Sequence, residues 1–184
     1  MKIDAKTGLL SPCKHLPSPN KDARPIEQTL DLIVIHSISL PPGKYGGDAI
    51  ERFFSNELNP DEHPYYQEIH QMKVSSHILI RRDGQITQFV PFHERAWHAG
   101  VSSYQGRERC NDFSIGIELE GSDTDSFNNE QYIQLANLIQ TLIKTYHSLS
   151  QDAITGHSDI APGRKTDPGT GFDWKKLDTL LSSE

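Results

Sequence analysis

The feature that most constrains the fold is an uninterrupted apolar run, Leu32-Ile33-Val34-Ile35, which ends abruptly in His36. A short run that is apolar at every position is typical of a strand buried on both faces. We therefore predict a buried strand over residues 31–36 that carries the imidazole of His36 at its C-terminal end. The prolines and glycines of residues 41–47 enforce a loop next to this histidine.

Two further patterns predict strands. Residues 77–82 and 85–90 flank Asp83-Gly84, which is a two-residue hairpin signal and predicts an antiparallel pair. Residues 113–120 alternate so that Glu118 and Glu120 share one face of a strand, opposite three aliphatic side chains.

Helical patterns occupy the second half of the chain. A helix is predicted over residues 129–147, capped by Asn128. Its predicted buried stripe comprises Ile133, Ala136, Ile139, Ile143 and Tyr146. A short strand is predicted near 152–155, and a last helix follows Asp173. The predicted fold class is therefore α/β, with a single mixed β-sheet flanked by helices.

Length and composition limit the organisation. A chain of 184 residues suits a single domain, 1–184, in which the proline-rich residues 1–30 form an irregular arm packed on the body. The net charge of -7 argues against a nucleic-acid partner. No apolar stretch approaches the roughly 18 residues of a membrane span, and no secretion signal is evident. We expect no membrane partner, a cytoplasmic location and reduced Cys13 and Cys110.

The loop from Gly156 to Gly169 contains His157, Lys165 and Asp167 and is stiffened by two prolines. With His36, it supplies two imidazoles and a carboxylate. Zinc held by three protein ligands keeps a position open for water, which is the catalytic arrangement. The sequence therefore predicts a zinc hydrolase.

Several choices stay open at this point. His77 and His98 compete as ligands or line the site, and Asp159 competes with Asp167. Either Glu118 or Glu120 is the required proton acceptor. Other residues are candidates for charge stabilisation or substrate contact. They are Lys165 for an oxyanion, Trp97 for a sugar ring, and Arg109 and Arg164 for substrate carboxylates.

Five segments, in this order, resemble the zinc-dependent N-acetylmuramoyl-L-alanine amidases. They are Val34-Ile35-His36, Ser76 to Gly84, Arg95 to Gly100, Gly116 to Gly121, and Gly156-His157 with Lys165 to Gly169. The resemblance covers nearly the whole chain. It implies the fold of the amidase and peptidoglycan-recognition superfamily.

The resemblance also implies roles for individual residues. It makes His36, His157 and Asp167 the ligands of one Zn²⁺ ion, Glu118 the proton acceptor and Lys165 the transition-state stabiliser. The implied substrate-binding residues are Ser37, Lys73, Trp97, His98, Arg109 and Arg164. Ser37 stands where asparagine is common in the family, and Ser76 stands where phage relatives have a tyrosine.

The implied substrate is a small soluble muropeptide that carries 1,6-anhydro-N-acetylmuramic acid. It is cut between the lactyl group and L-alanine during peptidoglycan recycling, a process linked to β-lactamase induction. We expect the protein to act as a monomer. The alternatives are an amidase that acts on intact peptidoglycan and a non-catalytic peptidoglycan-binding module.

Overall fold

A computed structural model describes residues 1–182, so the last two residues of the predicted 1–184 domain lie outside the described residues. The strands are β1 (Lys2–Asp4), β2 (Leu9–Ser11), β3 (Lys14–His15), β4 (Lys21–Ala23), β5 (Leu32–Ile38), β6 (Ile78–Ile80), β7 (Ile86–Gln88), β8 (Glu94–Ala96), β9 (Ser103–Tyr104), β10 (Arg107–Glu108), β11 (Ser114–Glu120) and β12 (Ile154–Gly156). The α-helices are α1 (Ala49–Phe54), α2 (Pro64–Ile69), α3 (Asn129–Thr145), α4 (His157–Ile160) and α5 (Trp174–Ser182).

The central sheet is mixed, as predicted. Its strand order is β12-β5-β11-β6-β7-β3. The first four strands in this order are parallel to their neighbours, β6 and β7 are antiparallel, and β3 is parallel to β7. β5 continues to Ile38, so His36 lies within the strand and not at its end as predicted.

Helices cover both faces of this sheet, which confirms the predicted fold class. One face packs against α3 and α5 through the aliphatic side chains of β5 and β11. The other packs against α1 and α2, with Phe53, Phe54 and Tyr66 around Leu79 of β6. Because both faces are covered, β11 is buried at every position.

Two local predictions need correction. The β6–β7 hairpin forms, but the backbone N–H of Arg81 donates to the carbonyl oxygen of Gln85, so the loop between them has three residues. The last of these, Gly84, has a φ of +85°. A three-residue loop ending in a left-handed glycine is an alternative to the predicted two-residue turn. The buried face of α3 is centred one residue away from the predicted stripe. It comprises Tyr132, Leu135, Ala136, Leu138, Ile139 and Leu142.

Residues 1–30, which we expected to be irregular, contain four short strands. β3 extends the central sheet and β4 pairs with β8. None of the helices within residues 1–182 combines the length and apolarity that crossing a membrane requires.

Candidate active site

The predicted site residues gather at the carboxyl ends of neighbouring parallel strands. His36 lies near the end of β5, and His157 directly follows β12, its parallel neighbour. Glu118 of β11 stands opposite His36 in the strand register. Because facing residues of paired strands project to the same side of a sheet, these two side chains share one face. Parallel sheets commonly build their functional sites at this edge.

Side-chain atoms of His36, His157 and Asp167 converge. Nδ1 of His36 lies 3.0 Å from Nδ1 of His157 and 2.9 Å from Oδ2 of Asp167. The same Oδ2 lies 3.1 Å from Nδ1 of His157. Burial lowers the pKa of His36 to about 4, so its imidazole is neutral at neutral pH. Neutral imidazole is the form that binds metals.

This donor set fits a zinc ion. Tetrahedral bonds of ordinary Zn–N length place neighbouring donor atoms about 3.3 Å apart, close to the distances found here. Nε2 of His157 lies 3.0 Å from the carbonyl oxygen of Ala99. Since that nitrogen donates its proton to the carbonyl, the lone pair of Nδ1 points into the cluster. The three side chains therefore form a candidate metal site.

Glu118 lies beside this cluster, and one of its carboxyl oxygens has no hydrogen-bonding partner among the described residues. This oxygen is Oε2, and the side chain that carries it is buried. Burial raises the pKa of Glu118 well above its usual value, Asp167 raises it further, and the ammonium of Lys165 opposes the rise. A buried carboxyl group with a raised pKa beside a metal site is suited to accept and return a proton.

Glu120 has a different environment, although it lies on the same face of β11. Its Oε1 accepts hydrogen bonds from Nη1 of Arg81 at 2.7 Å and from the backbone N–H of Gly46 at 2.6 Å. Arg81 also pairs with Glu51, so its guanidinium lies between two carboxylates. The charge of Glu120 is therefore compensated by its neighbours, whereas Oε2 of Glu118 has no hydrogen-bonding partner among the described residues.

The other candidate ligands lie outside the cluster. Nδ1 of His77 accepts a backbone N–H of β11 at 3.1 Å. Nδ1 of His98 lies 2.9 Å from Nε2 of His36, on the far side of that ring from the cluster. Oδ2 of Asp159 accepts the N–H of Gly156 at 2.9 Å and so caps the start of α4.

A cavity of about 460 Å³ opens beside the cluster, which is within the size range of small-molecule sites. Its polar end is formed by the three candidate ligands together with Glu118 and Lys165. Its apolar wall includes Leu40, Phe53, Tyr65, Ile69, Met72 and Trp97. The cavity therefore combines a cluster of ionisable side chains with an apolar and aromatic surface.

Comparison with known proteins identifies the family. The sequence model of N-acetylmuramoyl-L-alanine amidase matches residues 26–170. The 1,6-anhydro-N-acetylmuramyl-L-alanine amidase AmpD of Escherichia coli (strain K12) is 54% identical over 177 residues, which cover 96% of this chain and 96% of that protein. The chain belongs to the N-acetylmuramoyl-L-alanine amidase family. It is accordingly an amidase.

Solved structures of amidases share this fold. The crystal structure of a selenomethionine derivative of AmpD superposes with a TM-score of 0.95 at 52% identity, covering 99% of this chain and 100% of that chain. The E. coli amidase AmiD, in complex with anhydro-N-acetylmuramic acid-L-Ala-D-gamma-Glu-L-Lys, gives a TM-score of 0.60 at 30% identity. That match covers 82% of this chain and 57% of AmiD.

The structure separates the six predicted substrate-binding residues of this amidase into two groups. Ser37, Trp97 and His98 line the cavity. The other three lie outside the residues that line it. Lys73 is exposed, Arg109 is 71% exposed and pairs with Asp112, and Arg164 donates to the carbonyls of Ala99 and Val101.

Sequence reasoning missed Asp123, which also lines the cavity of the amidase. Its Oδ1 accepts the hydroxyl of Ser37 at 3.2 Å, and its Oδ2 accepts the hydroxyl of Thr166. The carboxylate thus connects the end of β5 to the loop that carries Lys165 and Asp167. The local sequence holds no signal for this contact, because both partners are distant in the chain.

Proposed function

We propose that this amidase uses one zinc ion to hydrolyse the amide bond between the lactyl group of 1,6-anhydro-N-acetylmuramic acid and L-alanine in muropeptides. The reaction is a step of peptidoglycan recycling. The supporting observation is that three donor atoms 2.9–3.1 Å apart adjoin the buried carboxyl group of Glu118, whose Oε2 has no hydrogen-bonding partner within residues 1–182. The similarity to the 1,6-anhydro-N-acetylmuramyl-L-alanine amidase AmpD and the anhydromuramyl peptide bound by AmiD support this substrate.

Each ionisable residue has a distinct role in this mechanism. His36, His157 and Asp167 would hold the zinc ion, which would supply Lewis acidity and a lower pKa for bound water. Glu118 accepts the proton from the attacking water and returns it to the nitrogen of the departing L-alanine. Its raised pKa suits both steps, because the carboxylate must bind the proton and then release it. The ammonium of Lys165 stabilises negative charge on the carbonyl oxygen.

The cavity accounts for substrate orientation. Trp97 provides a flat apolar face for the anhydro sugar, and Ser37 and His98 lie at the polar end near the scissile amide. Lys73 and Arg109 contact peptide carboxylates further from the reaction centre. Arg164, whose Nη2 lies 3.5 Å from Nε2 of His157 and donates to the carbonyls of Ala99 and Val101, contacts a carboxylate through its other guanidinium nitrogens. The hydroxyl of Ser37 already donates to Asp123 in the structure, so its substrate contact uses the oxygen lone pairs.

The remaining parts of the proposal concern organisation and location. The activity resides in one domain, 1–184, which acts as a monomer in the cytoplasm. Its partner is the muropeptide, with neither nucleic acid nor a membrane involved. The net charge of -7 supports the exclusion of nucleic acid.

Two substitutions separate metal binding from proton transfer. Asp167→Ala removes a proposed ligand, so zinc content and hydrolysis of anhydromuramyl tripeptide should fall together. Glu118→Ala leaves the donor atoms in place, so zinc content should persist while hydrolysis is lost. Asp159→Asn is the matched control, since it removes the charge of a carboxylate in the same loop while its amide oxygen can still accept the N–H of Gly156. An active Glu118→Ala variant would show that the proton acceptor is misassigned.

A second pair of substrates separates the alternatives within the same fold. A recycling enzyme cleaves the soluble anhydromuropeptide and leaves intact sacculi untouched. Rapid release of peptide from sacculi would instead identify a wall-lytic amidase. Binding of the muropeptide without cleavage of either substrate would identify a peptidoglycan-binding module.

A further inference from the structure

The imidazole of His98 lies between the candidate ligand His36 and a fixed hydrogen-bonding chain. Its Nδ1 lies 2.9 Å from Nε2 of His36, and its Nε2 lies 3.1 Å from Oγ of Ser114. The hydroxyl of Ser114 donates to the carbonyl oxygen of Cys110 at 2.6 Å. Both ring nitrogens of His98 are therefore engaged by protein groups.

This chain of contacts determines which nitrogen carries each proton. Because the hydrogen of Ser114 is committed to a carbonyl, its oxygen can only accept, and Nε2 of His98 must donate. A neutral imidazole has one N–H, so Nδ1 of His98 is an acceptor. Nε2 of His36 then donates to it, which leaves the lone pair of Nδ1 of His36 directed into the cluster.

The backbone is shaped to hold the ring of His98 in this position. A Cβ at Gly116 would lie 2.4 Å from Cγ and 2.6 Å from Nδ1 of His98, so the ring packs directly on the glycine. On the other side, Oδ1 of Asn111 accepts the backbone N–H groups of His98 and Ala99 at 3.0 and 2.8 Å. The ring is thus fixed at its backbone, its face and both nitrogens.

We infer that His98 is a positioning residue that, with Ser114, imposes on His36 the tautomer required for metal binding. The carbonyl of Ala99 does the same for His157, so each imidazole of the cluster has its own proton acceptor. The inference rests on the proposed role of His36 as a metal ligand. His98 thus fixes the tautomer of His36, in addition to lining the cavity.

The first test measures tautomers in the unsubstituted protein. Two-bond proton–nitrogen correlation spectra of ¹⁵N-histidine-labelled protein distinguish Nδ1–H from Nε2–H for each ring. The inference predicts Nε2–H for both His98 and His36 in metal-free and zinc-loaded protein. An Nδ1–H tautomer at His98 would overturn it. If the protein binds no zinc, the proposed function fails, but the metal-free spectrum still decides the tautomer of His98.

The second test compares two substitutions of similar size. His98→Asn places an amide oxygen near the position of Nδ1 and can still accept from His36, whereas His98→Leu cannot. Loss of such a partner typically weakens metal binding by about 10- to 100-fold. The zinc dissociation constant, measured by chelator competition at fixed pH, should rise by that factor for His98→Leu and by less than about 3-fold for His98→Asn. Equal dissociation constants for both variants would show that His98 only fills space.

Discussion

Replacing Glu118 by glutamine tests the proposed proton acceptor with the smallest change of shape. The carboxyl group is buried on β11 opposite His36, and its Oε2 has no hydrogen-bonding partner among the groups of residues 1–182. The amide has nearly the same volume but cannot accept a proton at neutral pH. The three donor atoms of the candidate metal site remain in place, so zinc binding should persist.

The expected loss of activity follows from the role of a positioned general base. Such a group contributes about 10²- to 10⁴-fold to a reaction rate. At about 1.36 kcal/mol for each factor of ten, the loss corresponds to about 3–5 kcal/mol of transition-state stabilisation. We expect kcat to fall by this factor, while the zinc dissociation constant changes little.

The same substitution should raise the stability of the metal-free protein at neutral pH. Burial raises the pKa of Glu118 above the value of about 4.3 that the unfolded chain has. A raised carboxyl pKa favours folding below the unfolded pKa, and this advantage is lost as the pH rises through the folded pKa. Glutamine does not titrate. The stability difference in favour of Glu118→Gln should therefore grow as the pH rises above about 4.3 and then level off.

The assay combines peptide release with urea unfolding of chelator-treated protein at several pH values. Glu120→Gln is the matched control, because this residue lies on the same strand face but its carboxylate is paired with Arg81. The Glu120→Gln protein should be less stable than the parent, but the molecules that remain folded should have the parent activity. Glu118 is not the buried proton acceptor if Glu118→Gln keeps more than about a tenth of the parent activity, or if the stability of this variant relative to the parent does not change with pH.

Two further substitutions test the packing that supports the site. Arg81→Met should destabilise the protein by about 3–5 kcal/mol at pH 7, because it leaves two buried carboxylates without their cation; urea unfolding that shows no loss would contradict the network. Gly169→Ala should cost more than about 2 kcal/mol, since it adds left-handed strain at a φ of +81° to a Cβ 2.2 Å from backbone atoms of Asp123. Gly163→Ala is the control, because Gly163 has a φ of +76° but no atom lies within 4 Å of an added Cβ, so this variant should lose only the stability that left-handed strain costs. Equal losses of stability in the two alanine variants would refute the predicted clash at Gly169.

The parts of the fold that sequence predicted are those with local signals. β5 was recognisable because a strand buried on both faces is apolar at successive positions, and β11 was recognisable from its alternating pattern. The buried face of α3 was misplaced because apolar residues occupy adjacent positions, such as Tyr132 and Ile133, so periodicity allows two neighbouring stripes. Packing against the sheet and α5 decides between them. β3 and β4 had no local signal, since their pairing partners β7 and β8 are distant in the chain. β1 and β2 pair with each other, and this short local hairpin was missed.

In the candidate site, too, the residues with a local sequence signal were predictable and the others were not. His36 and the loop of His157 and Asp167 were recognisable from residue type and position. Spacing alone left Glu118 and Glu120 equivalent, because residues two apart share a strand face. They differ in their partners, because Arg81, beyond the end of β6, and the backbone N–H of Gly46 both donate to Glu120.

The most direct test of the account is a zinc titration of metal-free protein with 1,6-anhydro-N-acetylmuramyl tripeptide as substrate. Release of free tripeptide, followed by mass spectrometry, should be absent without metal. It should rise with added zinc and saturate at one equivalent per chain, and Asp167→Ala should stay inactive throughout. Release that is independent of zinc, or that persists in Asp167→Ala, would contradict a reaction centred on His36, His157 and Asp167.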